Sequence, residues 1–231
     1  MKKLLILPTV LLGLSLLCLN ACKKDNKKKE TCKIQKFTDN SGGDVTIFSY
    51  DDNFKLVKMS GGTRESNFSY GSNQKTILTT DGGVFDNKKI ITYDNQSKII
   101  NVKAEFNTSG TDWDNISYNY SGNDLIKYTS TSSSSPTPNV TNFVWENGNI
   151  SKIIPSSGPA TILEYYLDKE FQDADYLSLS FLLQYGESPI RYKNLLKSFS
   201  SQEVIYGFDA EGKINTLNIG SSSFSIDYLC K

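Results

Sequence analysis

Past residue 44 the chain alternates apolar and polar side chains over short runs, and many of these runs end on an aromatic residue followed by a polar turn. In Val45-Thr46-Ile47-Phe48-Ser49-Tyr50 the residues Thr46, Phe48 and Tyr50 share one face, and Val45 and Ile47 share the other. A period of two is that of an extended strand. The same unit recurs. Phe48-Ser49-Tyr50-Asp51 leads to Lys55-Leu56, Ile91-Thr92-Tyr93-Asp94 to Lys98-Ile99, and Tyr206-Gly207-Phe208-Asp209 to Lys213-Ile214. Looser copies are Phe68-Ser69-Tyr70-Gly71, Tyr118-Asn119-Tyr120-Ser121 and Phe143-Val144-Trp145-Glu146. Over the first five copies the aromatic-to-aromatic spacing is 20, 23, 27 and 25 residues, which fits two short strands and two turns per unit.

Turn chemistry supports the hairpins. Gly212 stands where a turn needs positive φ, and Asn147-Gly148 is a strong short hairpin signal. Asp51 and Asp94 can accept hydrogen bonds from the amides ahead of them, which accounts for them without metal binding or catalysis. Ser41-Gly42-Gly43, Gly61-Gly62, Gly82-Gly83 and Gly220-Ser221-Ser222-Ser223 punctuate the opposite ends of the units. The pattern predicts an all-β fold: an antiparallel meander of repeated hairpins forming a closed or nearly closed barrel-like sheet. Both strand faces carry apolar groups, so either the sheet curls onto itself or the segment 165–200 covers one face. That segment is irregular. Leu177, Leu179, Phe181, Leu183 and Tyr185 alternate like a strand with Leu182 out of step, while Ser188-Pro189 predicts a short helix running to Lys197. Thr129 to Pro138 is expected to be a loop tip.

The N-terminus is organised differently. Lys2 and Lys3 precede an apolar run from Leu4 to Leu19, followed by Asn20, Ala21 and Cys22. A basic start, an apolar stretch shorter than the ~20 residues of a membrane span, and a small residue before the cut are the parts of a secretion signal. Leu19-Asn20-Ala21-Cys22 resembles the lipobox of bacterial lipoproteins, in which the cysteine becomes the acylated N-terminus. Residues 1–21 are therefore expected to be a lipoprotein signal peptide, residues 22–31 the lipidated Cys22 with a charged tether, and residues 32–231 one all-β domain. Of four cysteines, Cys18 would leave with the signal and Cys22 would carry lipid. Cys32 and Cys230 remain as an even pair for an oxidising compartment. A bridge between them requires the first and last strands to be neighbours; the alternative is an open sheet with Cys230 unbridged within the chain.

The aromatic-Asp hairpins, Leu163-Glu164-Tyr165-Tyr166-Leu167-Asp168, Lys193-Asn194-Leu195-Leu196-Lys197-Ser198 and the closing Tyr206-Gly207-Phe208-Asp209-Ala210-Glu211-Gly212-Lys213-Ile214 resemble a Bacteroidetes lipoprotein family of unknown function. The resemblance implies a barrel-like β-meander and a lipid anchor in the outer membrane, on its periplasmic or cell-surface face. In lipoproteins of that type a charged stretch after the cysteine, here Lys23-Lys24-Asp25-Asn26-Lys27-Lys28-Lys29-Glu30, accompanies display on the outer face. The family supplies no catalytic residues to transfer.

Charge excludes little but something. There are 25 basic and 25 acidic residues, and removal of the first 21 leaves 23 against 25, so no global field recruits nucleic acid. Histidine is absent, which removes Ser-His-Asp and Cys-His catalysis and most zinc sites. No metal or cofactor is expected. Paired carboxylates could hydrolyse glycosides, but Asp112-Trp113-Asp114 and Asp173-Ala174-Asp175 are expected to cap turns and solubilise loops. Tyr, Phe and Trp make up 27 residues; they suffice for cross-strand pairing, yet exposed rings also stack on sugars or anchor partners. Trp113, in an acidic loop, is the best exposed candidate for ligand binding, and Trp145, at a repeat position, is the second and the better packed. The first reading is a membrane-anchored, non-enzymatic binding module for a glycan, peptide or partner protein. A structural accessory of an envelope assembly and a carboxylate hydrolase are the alternatives.

Overall fold

The computed structural model describes residues 31–231; the expected signal peptide, lipidation site and most of the tether lie outside the described residues. Sixteen strands and one helix follow in order: β1 (Cys32–Asp39), β2 (Val45–Tyr50), β3 (Leu56–Gly61), β4 (Arg64–Tyr70), β5 (Gln74–Asp81), β6 (Val84–Tyr93), β7 (Ile99–Glu105), β8 (Trp113–Ser121), β9 (Asp124–Ser132), β10 (Asn139–Glu146), β11 (Asn149–Pro155), β12 (Thr161–Glu170), α1 (Tyr176–Tyr185), β13 (Asn194–Phe199), β14 (Gln202–Phe208), β15 (Ile214–Ile219) and β16 (Ser222–Cys230). Each strand pairs with its sequence neighbours, and β16 returns beside β1 to close the barrel. At that seam the Phe37 and Phe224 rings stack at 5.2 Å, and Ser225 Oγ donates to Asn40 Oδ1 at 2.9 Å. The described chain ends are a separate small unit, in which Cys32 and Cys230 are disulfide-bonded with Cα atoms 4.0 Å apart and Thr31 and Lys231 exchange two backbone hydrogen bonds.

Cross-strand register shows how the alternating pattern is used. Phe48 pairs with Met59, Phe68 with Ile77, Ile91 with Val102 and Tyr206 with Leu217, and these rows point inward into one core. The outward rows read differently. Ser49, Lys58, Asn67, Leu78, Lys88, Glu105 and Trp113 follow one another across β2 to β8, and Thr92, Asn101, Ser117 and Thr129 across β6 to β9. The inside is oily and the outside is largely hydroxyl, amide and charge. Open sixteen-stranded barrels hold a water channel; here large side chains such as Phe48, Ile77, Ile91, Leu125 and Ile150 fill the interior.

Both ends of the barrel carry hairpin turns, but of two kinds. At one end Asp51, Asp94 and Asp209 each accept backbone N–H bonds two and four residues ahead, at 2.8 to 3.0 Å. The residue three after each aspartate has positive φ: Phe54, Ser97 and Gly212. This is the aspartate end. Inside it, the repeat aromatics form a ring of donors. Tyr50 hydroxyl donates to the Ile34 carbonyl, Tyr70 to Leu56, Tyr120 to Ile99, the Trp145 indole to Leu125, Tyr165 to Ile150 and Tyr228 to Ile214, all at 2.6 to 2.9 Å. Each bond ties the aromatic of one hairpin to the Ile or Leu of the hairpin before it, so the repeat is stitched unit to unit. The Gly- and Ser-rich turns make the other, open end.

The segment between β12 and β13 replaces one aspartate turn and folds inward. The helix lies at Tyr176–Tyr185, not at 188–197, and the apolar alternation over Leu177 to Tyr185 is helical. Asp175 is its N-cap, accepting from Leu177 N, and Gly186 ends it at φ 73. Ser188-Pro189 is instead a short turn in which Ser188 Oγ accepts from Ile190 N, leading into β13. A helix of ten residues is ~15 Å long, and this one crosses from Phe199, on which Tyr176 stacks, to Leu56 and Phe68 on the far wall. A Cβ on Gly186 would stand 2.6 Å from Phe68 and 2.9 Å from Leu56, so only glycine passes there. The sheet both closes on itself and is filled by this insertion. The loop expected over Thr129 to Pro138 is shorter, because Thr129–Ser132 continue β9.

Candidate ligand-binding site

Two polar arrangements stand out, one at each end. At the aspartate end the ring of aromatic donors breaks its rule twice, at Tyr93 and Tyr206, and in both places the acceptor is a carboxylate of the insertion. Tyr93 donates to Glu187, which also holds the buried Lys75 ammonium. Tyr206 donates to Asp175 Oδ2 at 2.9 Å. Asp175 also accepts from Leu196 N at 2.8 Å and from the Tyr192 hydroxyl, and it is 0 % exposed. Burial pushes its carboxyl up to about 6, against the downward pull of its hydrogen bonds. Burial also lowers the Lys75 ammonium, with Glu187 opposing. Asp175 therefore caps a helix rather than the turn expected of it, and solubilises nothing, since it is enclosed. Asp175 and Lys75 are enclosed while Glu187 is partly exposed, and together the two sets of contacts serve as latches for the insertion.

At the open end β8, β9 and β10 present an inward face with little apolar bulk. Asp114 pairs with Ser132, Ile116 with Ser130, Ser130 with Asn139, and Tyr118 with Tyr128. Asp114, Ile116, Tyr128, Ser130, Thr131, Ser132 and Asn139, together with Ser135 and Thr137 from the loop 133–138, line a cavity of about 400 Å³, within the range of small-molecule sites. Tyr128 is the aromatic side chain of this lining, and it is backed by the buried Tyr118 and Phe143 rings at 6.3 and 5.8 Å. Beneath it, Tyr118 lies beside Tyr185 at the end of α1. Ser132 Oγ is occupied by Ser134 and by the Ser135 amide. The Asp114 carboxylate, the Tyr128 hydroxyl and the Thr137 hydroxyl make no hydrogen bond or ion pair with any other described residue and remain available to a ligand.

Trp113 heads β8 next to this cavity, but its row is the outward one, shared with Glu105, so its ring and the cavity lie on opposite faces of the wall. Its backbone nevertheless shapes the site. Trp113 N donates to Ser133 Oγ at 3.2 Å and Ser133 N donates to Trp113 O at 2.8 Å, while Ser133 Oγ donates to Asp112, and this fixes the loop that overhangs the cavity. Trp145 belongs to the other end, where its indole N–H is used by Leu125. The two tryptophans are not brought together. The residues missed from the sequence are Tyr128, Ser130 and Ser132, and a signal for them existed: they alternate, so they share the inward face once β9 extends to Ser132.

No family model matches the chain, and no curated protein matches it. Solved structures do share the fold. A porin-like protein from Bacteroides uniformis ATCC 8492 superposes with a TM-score of 0.61 at 10% identity, covering 85% of this chain and 96% of that one. A porin-like protein from Bacteroides vulgatus ATCC 8482 gives 0.58 at 13% identity, covering 84% and 97%.

Proposed function

We propose that this chain is a lipid-anchored, non-enzymatic barrel of the bacterial envelope that takes a glycan into the mouth of its open end. The observation that carries this reading is the cavity of β8 to β10. Its free hydroxyls match a hydroxyl-rich ligand, and the Tyr128 ring in its wall, backed by Tyr118 and Phe143, offers an apolar surface of the kind that sugars stack upon. The similar solved proteins are described as porin-like, but the wall of this barrel has the wrong polarity for a span. A transmembrane barrel turns an apolar band to lipid and a polar lining to its lumen, whereas here Ser, Thr, Asn, Lys and Glu dominate the outward rows and the lumen is packed with Phe, Ile and Leu. Attachment therefore falls to lipid on Cys22, where several acyl chains at ~0.8 kcal/mol per buried methylene suffice.

Two experiments test this. Wild-type protein should partition with membranes and the Cys22→Ser variant should be released; a variant that is still cut at the same bond and stays with the membrane refutes the anchor. A panel of oligosaccharides titrated calorimetrically should yield binders whose affinity falls at least tenfold in Tyr128→Ala with the fold intact. Absence of any saccharide binder, or binding indifferent to Tyr128, refutes the site.

A further inference from the structure

Resting on the glycan reading, we infer that the saccharide taken by the open-end cavity carries a free, protonated amino group, and that Asp114 is the side chain that selects it. Lining the cavity are hydroxyls, one amide, one aliphatic side chain and a single carboxylate, with no lysine or arginine among them. The neighbouring carboxylate, Asp112, is occupied by Ser133 Oγ, but Asp114, on the inward face of β8, has no partner among the described residues. Cations that face the same interior are committed elsewhere. Lys89, two strands away in the row that runs through Ala104 to Asp114, donates its ammonium to the Gln184 carbonyl of α1 at 3.1 Å. Arg64 donates to Asp86 at 2.6 Å.

The site thus offers one uncompensated negative charge beside several neutral hydrogen-bonding groups. A neutral sugar can satisfy the hydroxyls but gains nothing from the charge. An acidic sugar is repelled. An amino sugar satisfies both, and the carboxylate-to-ammonium pair at the rim of a wet cavity supplies a modest, salt-sensitive preference of about fivefold. Asp114 requires no rearrangement to act, because Ser132 holds the opposite position on β9 and the overhanging loop is pinned by Trp113 and Ser133. Tyr128 lies beneath as the stacking surface, so the sugar ring is placed with one edge toward β8.

Three trisaccharides separate the outcomes, titrated at pH 6 and low salt into the wild-type barrel, Asp114→Asn, and Asp124→Asn at the aspartate end as a charge control: a glucosamine trimer, its N-acetylated counterpart and a galacturonic acid trimer. The amine-bearing trimer should bind about fivefold more tightly than the acetylated one, the acidic trimer should bind weakest, and Asp114→Asn alone should erase the difference between the first two. Equal binding of the amine-bearing and acetylated trimers, unaffected by Asp114→Asn, overturns the charge assignment while leaving the glycan site standing. Preference for the acidic trimer overturns it as well. Failure of all three to bind removes the inference together with the reading beneath it.

Discussion

The two ends of this barrel are built from the same hairpin repeat and differ in what each does with its polar groups. At the aspartate end every prominent polar group is satisfied within the protein: turn carboxylates take backbone amides, tyrosine hydroxyls take backbone carbonyls, and the two tyrosines that depart from this rule take the carboxylates that hold the insertion. At the open end Asp114, Tyr128 and Thr137 are left unsatisfied around a cavity. Buried polar groups are costly unless paired, whereas polar groups at a wet mouth are free to exchange water for ligand. The contrast separates an end whose polar groups hold the fold together from an end whose polar groups are left free for the proposed ligand.

The sharpest way to break this comparison is at Asp175. Asp175→Ala strands the donors of Leu196, Tyr192 and Tyr206 in the core and removes the helix cap, and should cost about 4 kcal/mol in urea denaturation. A loss under about 1 kcal/mol would mean that the insertion is not latched there. Titration makes a second prediction. The folded pKa of Asp175, about 6, lies above its unfolded value of 3.8, so its contribution is fully present below about pH 4 and is lost as pH rises through about 6. The shift is equivalent to ~3 kcal/mol. Thermal unfolding of wild type against Asp175→Asn between pH 4 and 8 should show that component in the wild type only.

The other latch should be asymmetric. Glu187→Ala leaves the Lys75 ammonium buried without its counter-ion and should cost about 3 kcal/mol, whereas Lys75→Met leaves a partly exposed Glu187 that water can reach and should cost about 1 kcal/mol. Equal losses would show that the pair acts as packing rather than as charge. By contrast, Ser130→Ala and Thr137→Ala at the open end should change stability by less than about 0.5 kcal/mol.

How much of this was legible in the sequence follows the same division. The hairpins were, because Asp51, Asp94 and Asn147-Gly148 specify their turns locally, and closure was consistent with two apolar faces and with a Cys32 to Cys230 bridge. The helix was misplaced for a physical reason. A helix enclosed by a barrel is apolar all round and loses its 3.6-residue stripe, so Leu177 to Tyr185 mimics a strand. Its caps, Asp175 and Gly186, were the surviving signal. The cavity was hidden because an inward-facing serine and an outward-facing one look alike until register is known; Trp113 drew notice as an aromatic in an acidic stretch, and its ring sits on the other face. The smallest expected effect returns to the repeat itself: Ser97→Gly relieves a positive φ in an aspartate turn and should stabilise by about 0.5 kcal/mol, while the same gain is not available at Gly212, already glycine.

The most direct measurement of the division between the ends is a backbone amide shift map of the labelled barrel titrated with the glucosamine trimer. Shifts should be confined to residues 112–118, 128–139 and, through the Tyr118 contact, the end of α1 near Tyr185, with the turns at Asp51, Asp94 and Asp209 unmoved. Shifts centred on the aspartate turns, or on the outward rows of β2 to β6, would contradict that division.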